Sequence, residues 1–136
     1  MSQHFFIPMK TPTITFQKKR LGTRKNGKAY IYSDDSVREV KASLLSRLAP
    51  FVPERPYSGA VLLLVKWLFP LKGNHRDGEY KISKPDTDNL EKLLKDIMTE
   101  LDFWKDDAQV CSEHIEKFWA ANSGIFIQIE EINNGA

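Results

Sequence analysis

The feature that most restricts how this chain can fold is the run from Leu90 to Leu101. Leu90, Leu93, Leu94, Ile97, Met98 and Leu101 fall at steps of 3, 1, 3, 1 and 3, the spacing of one helical face. Six large apolar side chains in a stripe need a surface to lie on. Ala60 to Phe69 (AVLLLVKWLF) supplies one, because a short apolar run rich in β-branched and aromatic residues reads as a central strand. Val110 to Trp119 and Ile125 to Ile132 read as two further strands, with Asn122, Ser123 and Gly124 as the turn between them. Phe5 to Phe16 alternates loosely and contains Pro8 and Pro12, so it reads as edge-strand material. Asn26-Gly27 is a hairpin-like turn signal ahead of a short strand at Tyr30-Ile31-Tyr32. Ser33 offers an N-cap for an earlier helix of about 14 residues. Its buried face is Val37, Val40, Leu44, Leu45 and Leu48, and Pro50 and Pro53 end it. The order β-β-α-β-α-β-β predicts an α+β fold, a mixed β-sheet with two main helices packed on it. With no repeat or linker in 136 residues, positions 1–136 are expected to be one domain.

The charge is unevenly distributed. Residues 1–85 carry 16 Lys/Arg against 6 Asp/Glu, while residues 86–136 carry 4 against 12. A basic half joined to an acidic half suits a protein that holds a polyanion and collects cations. The densest basic run, Gln17 to Lys28, contains Lys18, Lys19, Arg20, Arg24, Lys25 and Lys28 and no acid. A polar stretch from Pro70 to Lys84 adds Lys72, Arg76, Lys81 and Lys84 and reads by composition as a mobile loop. The one cysteine, Cys111, cannot form an intramolecular bridge, and its strand pattern suggests the core. The N-terminus lacks a secretory pattern and no stretch is apolar enough to span a bilayer, so a cytoplasmic protein without a membrane partner is expected.

The chemistry concentrates at Lys84-Pro85-Asp86-Thr87-Asp88-Asn89-Leu90-Glu91-Lys92. Pro85 disfavours helix at Lys84 and keeps the chain extended up to Asp86. Asp88 then suits an N-cap, with Glu91 three residues on as its capping-box partner. That pairing leaves Asp86 unexplained. Two carboxylates one residue apart repel each other unless a cation neutralises them. Lys92, four residues after Asp88, shares its helical face. Just beyond the helix, Asp106 and Asp107 form a second acidic pair. Oxygen-only ligation selects hard cations, Mg²⁺, Mn²⁺ or Ca²⁺. An EF-hand is excluded, because Glu91 stands where its glycine belongs and Ile97 where its glutamate belongs. Zinc is excluded by a lone cysteine and scattered His4, His75 and His114.

These two segments together resemble the RusA family of Holliday junction resolvases. The family pattern is Asp-x-Asp-Asn followed by a lysine, a helix, and then Trp-x-Asp-Asp-x-Gln. Asp86 to Lys92 and Trp104 to Gln109 match both halves, with 21 residues from Asp86 to Asp107. The close match covers residues 84–110, and the flanking strands agree only in kind. Two departures are a longer Pro70–Ile82 segment and Lys84-Pro85 where some members carry arginines. The resemblance implies that Asp86, Asp88 and Asp107 bind catalytic Mg²⁺, with Mn²⁺ as a possible substitute, and that Lys92 is needed for cleavage. Asp106 and Asn89 would support the site from behind. The ten basic residues named above would grip the arms of a four-way junction. The activity implied is Mg²⁺-dependent endonuclease cleavage by paired symmetric nicks, in DNA recombination and repair, commonly of phage or prophage origin. A nuclease acting on flaps or forks and a non-catalytic DNA-binding module are the competing readings. Paired nicks on a two-fold junction call for a homodimer. Phe5, Phe6, Trp67, Phe69, Phe103, Trp104, Phe118 and Trp119 are more large aromatics than the fold obviously needs, so some are expected at a subunit interface.

Overall fold

The computed structural model describes residues 1–13, 21–23, 29–31 and 35–132. Strand β1 (Ser2–Pro8) is followed by β2 (Leu21–Thr23), β3 (Ala29–Ile31), helix α1 (Asp35–Leu48), β4 (Val61–Pro70), α2 (Thr87–Glu100), β5 (Val110–Ala120) and β6 (Gly124–Glu131). β2 and β3 pair antiparallel as a separate ribbon. β3 fits the strand expected near Tyr30, while β2 lies inside the basic run and was not expected. The turn at Asn26-Gly27 and the cap at Ser33 lie outside the described residues.

The main sheet has the order β1-β6-β4-β5, with β4 parallel to β5 and antiparallel to β6. It is a mixed sheet carrying two helices, the α+β architecture expected. β5 and β6 are not neighbours: residues 121–123 carry the chain from one flank of β4 to the other, so their turn does not make a hairpin. Gly124 opens β6 at φ +155°, where a Cβ would lie 2.2 Å from the Ile7 carbonyl oxygen. β1 is an edge strand, but it runs from Ser2 to Pro8 and not from Phe5 to Phe16, so Pro8 closes it and Pro12 lies beyond; among the described residues it pairs with β6.

Alternation along β4 buries Val61, Leu63, Val65, Trp67 and Phe69 on one face. Ile125, Ile127 and Ile129 of β6 and Phe5 and Ile7 of β1 join them, and Leu90, Leu93, Leu94, Ile97 and Met98 of α2 close over them with Leu44 and Leu48 of α1. Six of the eight aromatics expected partly at an interface (Phe5, Trp67, Phe69, Phe103, Trp104 and Trp119) belong to this core. Their bulk fills the space under α2 and the turns around it. Phe6 and Phe118 instead lie on the opposite face of the sheet, where Phe6 is 37% exposed.

The 71–84 segment is tied to the open edge of β5. Gly78 N donates to Trp119 O, Trp119 N to Glu79 O, and Lys81 N to Lys117 O. These bonds extend the sheet's pairing into a stretch whose composition suggested a loop. Cys111 corrects another expectation, since it is exposed on β5. Only the far end of that strand, Trp119 and Ala120, is fully buried. Among the described residues no helix is long and apolar enough to cross a membrane.

Candidate active site

The start of α2 differs from the expectation in an informative way. The helix begins at Thr87, its N-cap is Asp86 in extended conformation, and Leu90 N donates to Asp86 O at 3.1 Å. Asp86 uses no side-chain oxygen as a cap, and Asp88 stands in the first turn instead of capping it. Glu91 is not a capping partner. It is 2% exposed, and Trp67 Nε1 donates to its Oε1 at 2.9 Å across the core. The spacing Glu91, Leu94, Met98 places it inside the apolar stripe, a sign that was available in the sequence. Burial pushes the Glu91 carboxyl up to about 8; the Trp67 donor opposes the shift, and the neighbouring Glu113 carboxylate adds to it. Glu91 Oε2 is buried with no hydrogen-bond partner among the described residues.

Beyond α2, Asp102 turns the chain with φ 64°, and a short 3₁₀ turn, Asp107–Gln109, leads into β5. Trp104 is fully buried and donates from Nε1 to Thr99 Oγ1 at 2.7 Å. Asp106 caps the turn by accepting from Ala108 N at 2.9 Å. Gln109 Oε1 accepts from the Lys105 and Asp106 amides, while its Nε2 donates to Tyr57 O and Gly59 O. Three members of Trp-x-Asp-Asp-x-Gln thus build the scaffold and leave Asp107 as the uncommitted carboxylate.

Asp88, Lys92 and Asp107 line one groove of about 320 Å³ with Glu91, Lys95, Asp96, Glu113 and Ile115. Glu113 comes from β5 and holds Lys95 Nζ at 3.1 Å. Asp86 is exposed and not among the lining residues. It is faced by Lys117, a residue the sequence reading missed. Lys117 Nζ donates to Ser83 O and Pro85 O, each at 2.7 Å, and so fastens the segment that delivers Asp86. Desolvation lowers the Lys117 pKa, and the Asp86 charge partly restores it. The alternation of β5 turns Glu113, Ile115, Lys117 and Trp119 toward the helix side, opposite Leu63, Val65, Trp67 and Phe69 of β4. That strand pattern was the signal for Glu113 and Lys117. Asn89 is half-buried on the first turn of α2.

Among the described residues, no three His, Cys, Asp or Glu side chains are gathered tightly enough to hold a metal ion. The donor chemistry nevertheless fits a hard divalent cation. Among those residues Asp86, Asp88 and Asp107 enter no ion pair and no side-chain hydrogen bond, and the groove that Asp88 and Asp107 border sets five carboxylates against two lysines.

Lys72, Lys81 and Lys84 border a second groove of about 810 Å³ with Lys10, Phe69 and Trp119; Lys10 was not singled out from sequence. Lys72 and Lys84 are exposed there. Lys81 is turned inward. Its ammonium donates to Ser83 Oγ and Lys84 O at 2.6 Å each and lies 4.6 Å from the Trp119 ring centroid. Burial lowers its pKa, with Lys117 and Lys72 adding to the effect. Arg76 is exposed elsewhere on the loop. Lys18, Lys19, Arg20, Arg24, Lys25 and Lys28 lie outside the described residues.

A mixed sheet with two helices on one face and acidic side chains at the start of the second helix defines a small carboxylate-bearing α+β domain. Residues 11–130 match the family described as Endodeoxyribonuclease RusA, and the chain belongs to that family. It is 36% identical over 70 residues to a crossover junction endodeoxyribonuclease rusA of Lactococcus phage r1t, an alignment covering 52% of this chain and 53% of the phage protein. The chain thus spans about half the length of that relative. It is also 25% identical over 128 residues to the uncharacterized protein YqaN of Bacillus subtilis strain 168, covering 86% of this chain and 89% of that protein.

Proposed function

We propose that this protein is a divalent-metal-dependent endonuclease that resolves Holliday junctions by paired symmetric nicks, working as a homodimer in recombination and repair. The observation that carries this reading is the shared groove of Asp88, Asp107 and Lys92, with unpaired Asp86 one residue before α2. Asp86, Asp88 and Asp107 would hold Mg²⁺ or Mn²⁺. A bound cation lowers the pKa of a coordinated water and neutralises charge developing on the scissile phosphate.

The protein's own side chains do the rest. Lys92, exposed on the face of Asp88, offers an ammonium to a phosphate oxygen as a point charge. Asp106 and Gln109 hold the 3₁₀ turn so that Asp107 meets the groove at a fixed position. Lys117 fastens the approach to Asp86. Lys10, Lys72 and Lys84 supply exposed or groove-lining charge for the DNA backbone. Strand scission at the scissile phosphate leaves a 5′-phosphate and a 3′-hydroxyl.

The test is cleavage of a synthetic four-way junction alongside flap and fork substrates, with Mg²⁺ and with EDTA. Mg²⁺-dependent paired nicks on the four-way junction are expected. Preference for flaps or forks would replace the substrate, and binding without any cleavage would remove the enzyme reading.

A further inference from the structure

We propose that Glu91 and Glu113 form a second divalent-cation position on the floor of the groove, beside the Asp88 and Asp107 carboxylates. The inference adds a site to the metal-dependent reading above and rests on it for the identity of the first ion.

The starting point is Glu91. Its side chain is 2% exposed, and only one of its two oxygens is satisfied, by the Trp67 indole at 2.9 Å. Oε2 has no partner among the described residues. An unsatisfied buried carboxylate oxygen is among the costliest polar defects a fold can carry, unless something cationic or a proton completes it. Glu91 nevertheless sits at a position of the α2 stripe where a leucine would pack. The Trp67 bond fixes the carboxyl from behind, and the side chain lines the same groove as Asp88, Lys92 and Asp107.

The second donor comes from a different element. Glu113 projects from β5 into that groove, and its carboxylate helps push the Glu91 carboxyl up. Two carboxylates facing each other repel, and the Lys95 ammonium compensates only one of them, through Glu113 Oε1 at 3.1 Å. With Asp88, Asp96 and Asp107 the lining holds five carboxyl groups against Lys92 and Lys95, a formal excess of three negative charges once a cation displaces the Glu91 proton. One divalent cation leaves one negative charge of that excess, and a second more than offsets it. Mg²⁺ needs only one or two protein carboxylates, because water and substrate phosphate complete its octahedron. A pair such as Glu91 and Glu113 is therefore sufficient. Among the described residues no histidine or cysteine lines the groove, so the donor set suits Mg²⁺ or Mn²⁺ and not zinc. Glu113 would hold such an ion from β5 and Glu91 from α2, while Asp88 and Asp107 reach the groove from the start of α2 and from the 3₁₀ turn.

Counting bound Mn²⁺ on the full-length protein by electron paramagnetic resonance tests this. Two ions per chain are expected, broadened by their mutual spin coupling. Glu113→Gln and Glu91→Gln should each leave one narrow, uncoupled ion. Asp107→Asn should leave the other. Glu113→Gln alters a partly exposed strand position, so the test stands even where Glu91→Gln disturbs packing. A single Mn²⁺ retained in both glutamine variants and lost in Asp107→Asn would overturn the second position and spare the aspartate site. A Mn²⁺ lost in Glu113→Gln yet untouched by Asp107→Asn would do the reverse.

Discussion

At the scale of single residues, the site separates carboxylates by what they are already doing. Asp106 is spent on a cap and one oxygen of Glu113 on Lys95, whereas Asp86, Asp88 and Asp107 enter no ion pair and no side-chain hydrogen bond among the described residues. Changing any of these three to Asn keeps size and hydrogen bonding but removes the charge that attracts a cation. Each should abolish junction cleavage, by roughly a hundredfold or more on the scale of losing one essential electrostatic group, while gel-shift binding is kept or strengthened. Asp106→Asn should be milder, because an amide oxygen still caps. Full activity in Asp107→Asn would remove the proposed centre. Glu91 makes a separate prediction through stability. Its carboxyl is raised in the folded chain to about 8 from an unfolded value of 4.5, mainly by burial. Between those values the native state binds more protons than the unfolded state, so this group's contribution to stability falls as pH rises from about 4.5 to 8 and is level above that. Thermal melts in EDTA should show Glu91→Gln gaining on the wild type across that window. Parallel curves would mean the carboxyl ionises in the fold as it does in water.

At the scale of elements, the motif Trp-x-Asp-Asp-x-Gln is a turn-building device. Gln109 alone bridges the Lys105 and Asp106 amides to the Tyr57 and Gly59 carbonyls, joining the 3₁₀ turn to the approach of β4. Gln109→Ala leaves those groups without their partner, and each lost bond costs about 1 kcal/mol. Chemical denaturation should show a loss of up to roughly 4 kcal/mol, with cleavage reduced more than junction binding because Asp107 is loosened. Unchanged cleavage would mean that Asp107 needs no such support. Most of the element order was legible because helix and strand periods are written in single residues: the α2 stripe, the β4 run and the alternating isoleucines of β6. The start of α2 was less legible. Asp86 and Asp88 are chemically equivalent caps, and only the backbone decides that the helix begins at Thr87. Glu91 was misread for a related reason. A glutamate three residues after an aspartate matches a capping box, but it also fell on the core face beside Leu94, and the Trp67 donor that makes burial tolerable is 24 positions away. The pairing of β5 with β4, and hence the arrival of Glu113 and Lys117 at the site, is a long-range fact that no local window contains.

At the scale of the whole molecule, the sheet has one face under two helices and one face without them. The described core cluster draws only from the helix side, and Leu62, Leu64 and Leu68 of β4 point the other way, each half-buried. Phe126 pairs with Phe6 across β6 and β1, and Phe118 stands opposite Leu68 on β5. The two aromatics left out of the core, Phe6 and Phe118, flank three leucines on this face, with Lys66 between Leu64 and Leu68 and Tyr80 stacked on Phe118. The proposed symmetric resolution of a four-way junction would need two active centres, and each chain would carry one, so a closed two-fold pair is the simplest working unit. Among the surfaces described, this sheet face is the apolar one best suited to such a pair. An interface adequate for a lasting dimer buries roughly 2,000 Å² and is largely apolar, which a four-stranded face can supply. Sedimentation at micromolar concentration should then give about twice the 15.7 kDa chain mass. Leu64→Asp places a charge at the centre of the face, opposite Gln128 and His114, without touching the helix-side core. It should return the protein to single-chain mass with its melting temperature little changed, and should convert paired cuts into isolated nicks. A wild-type chain that sediments as a monomer and still cuts both strands in one encounter would overturn the dimer. A Leu64→Asp protein that remains dimeric would move the interface to another surface.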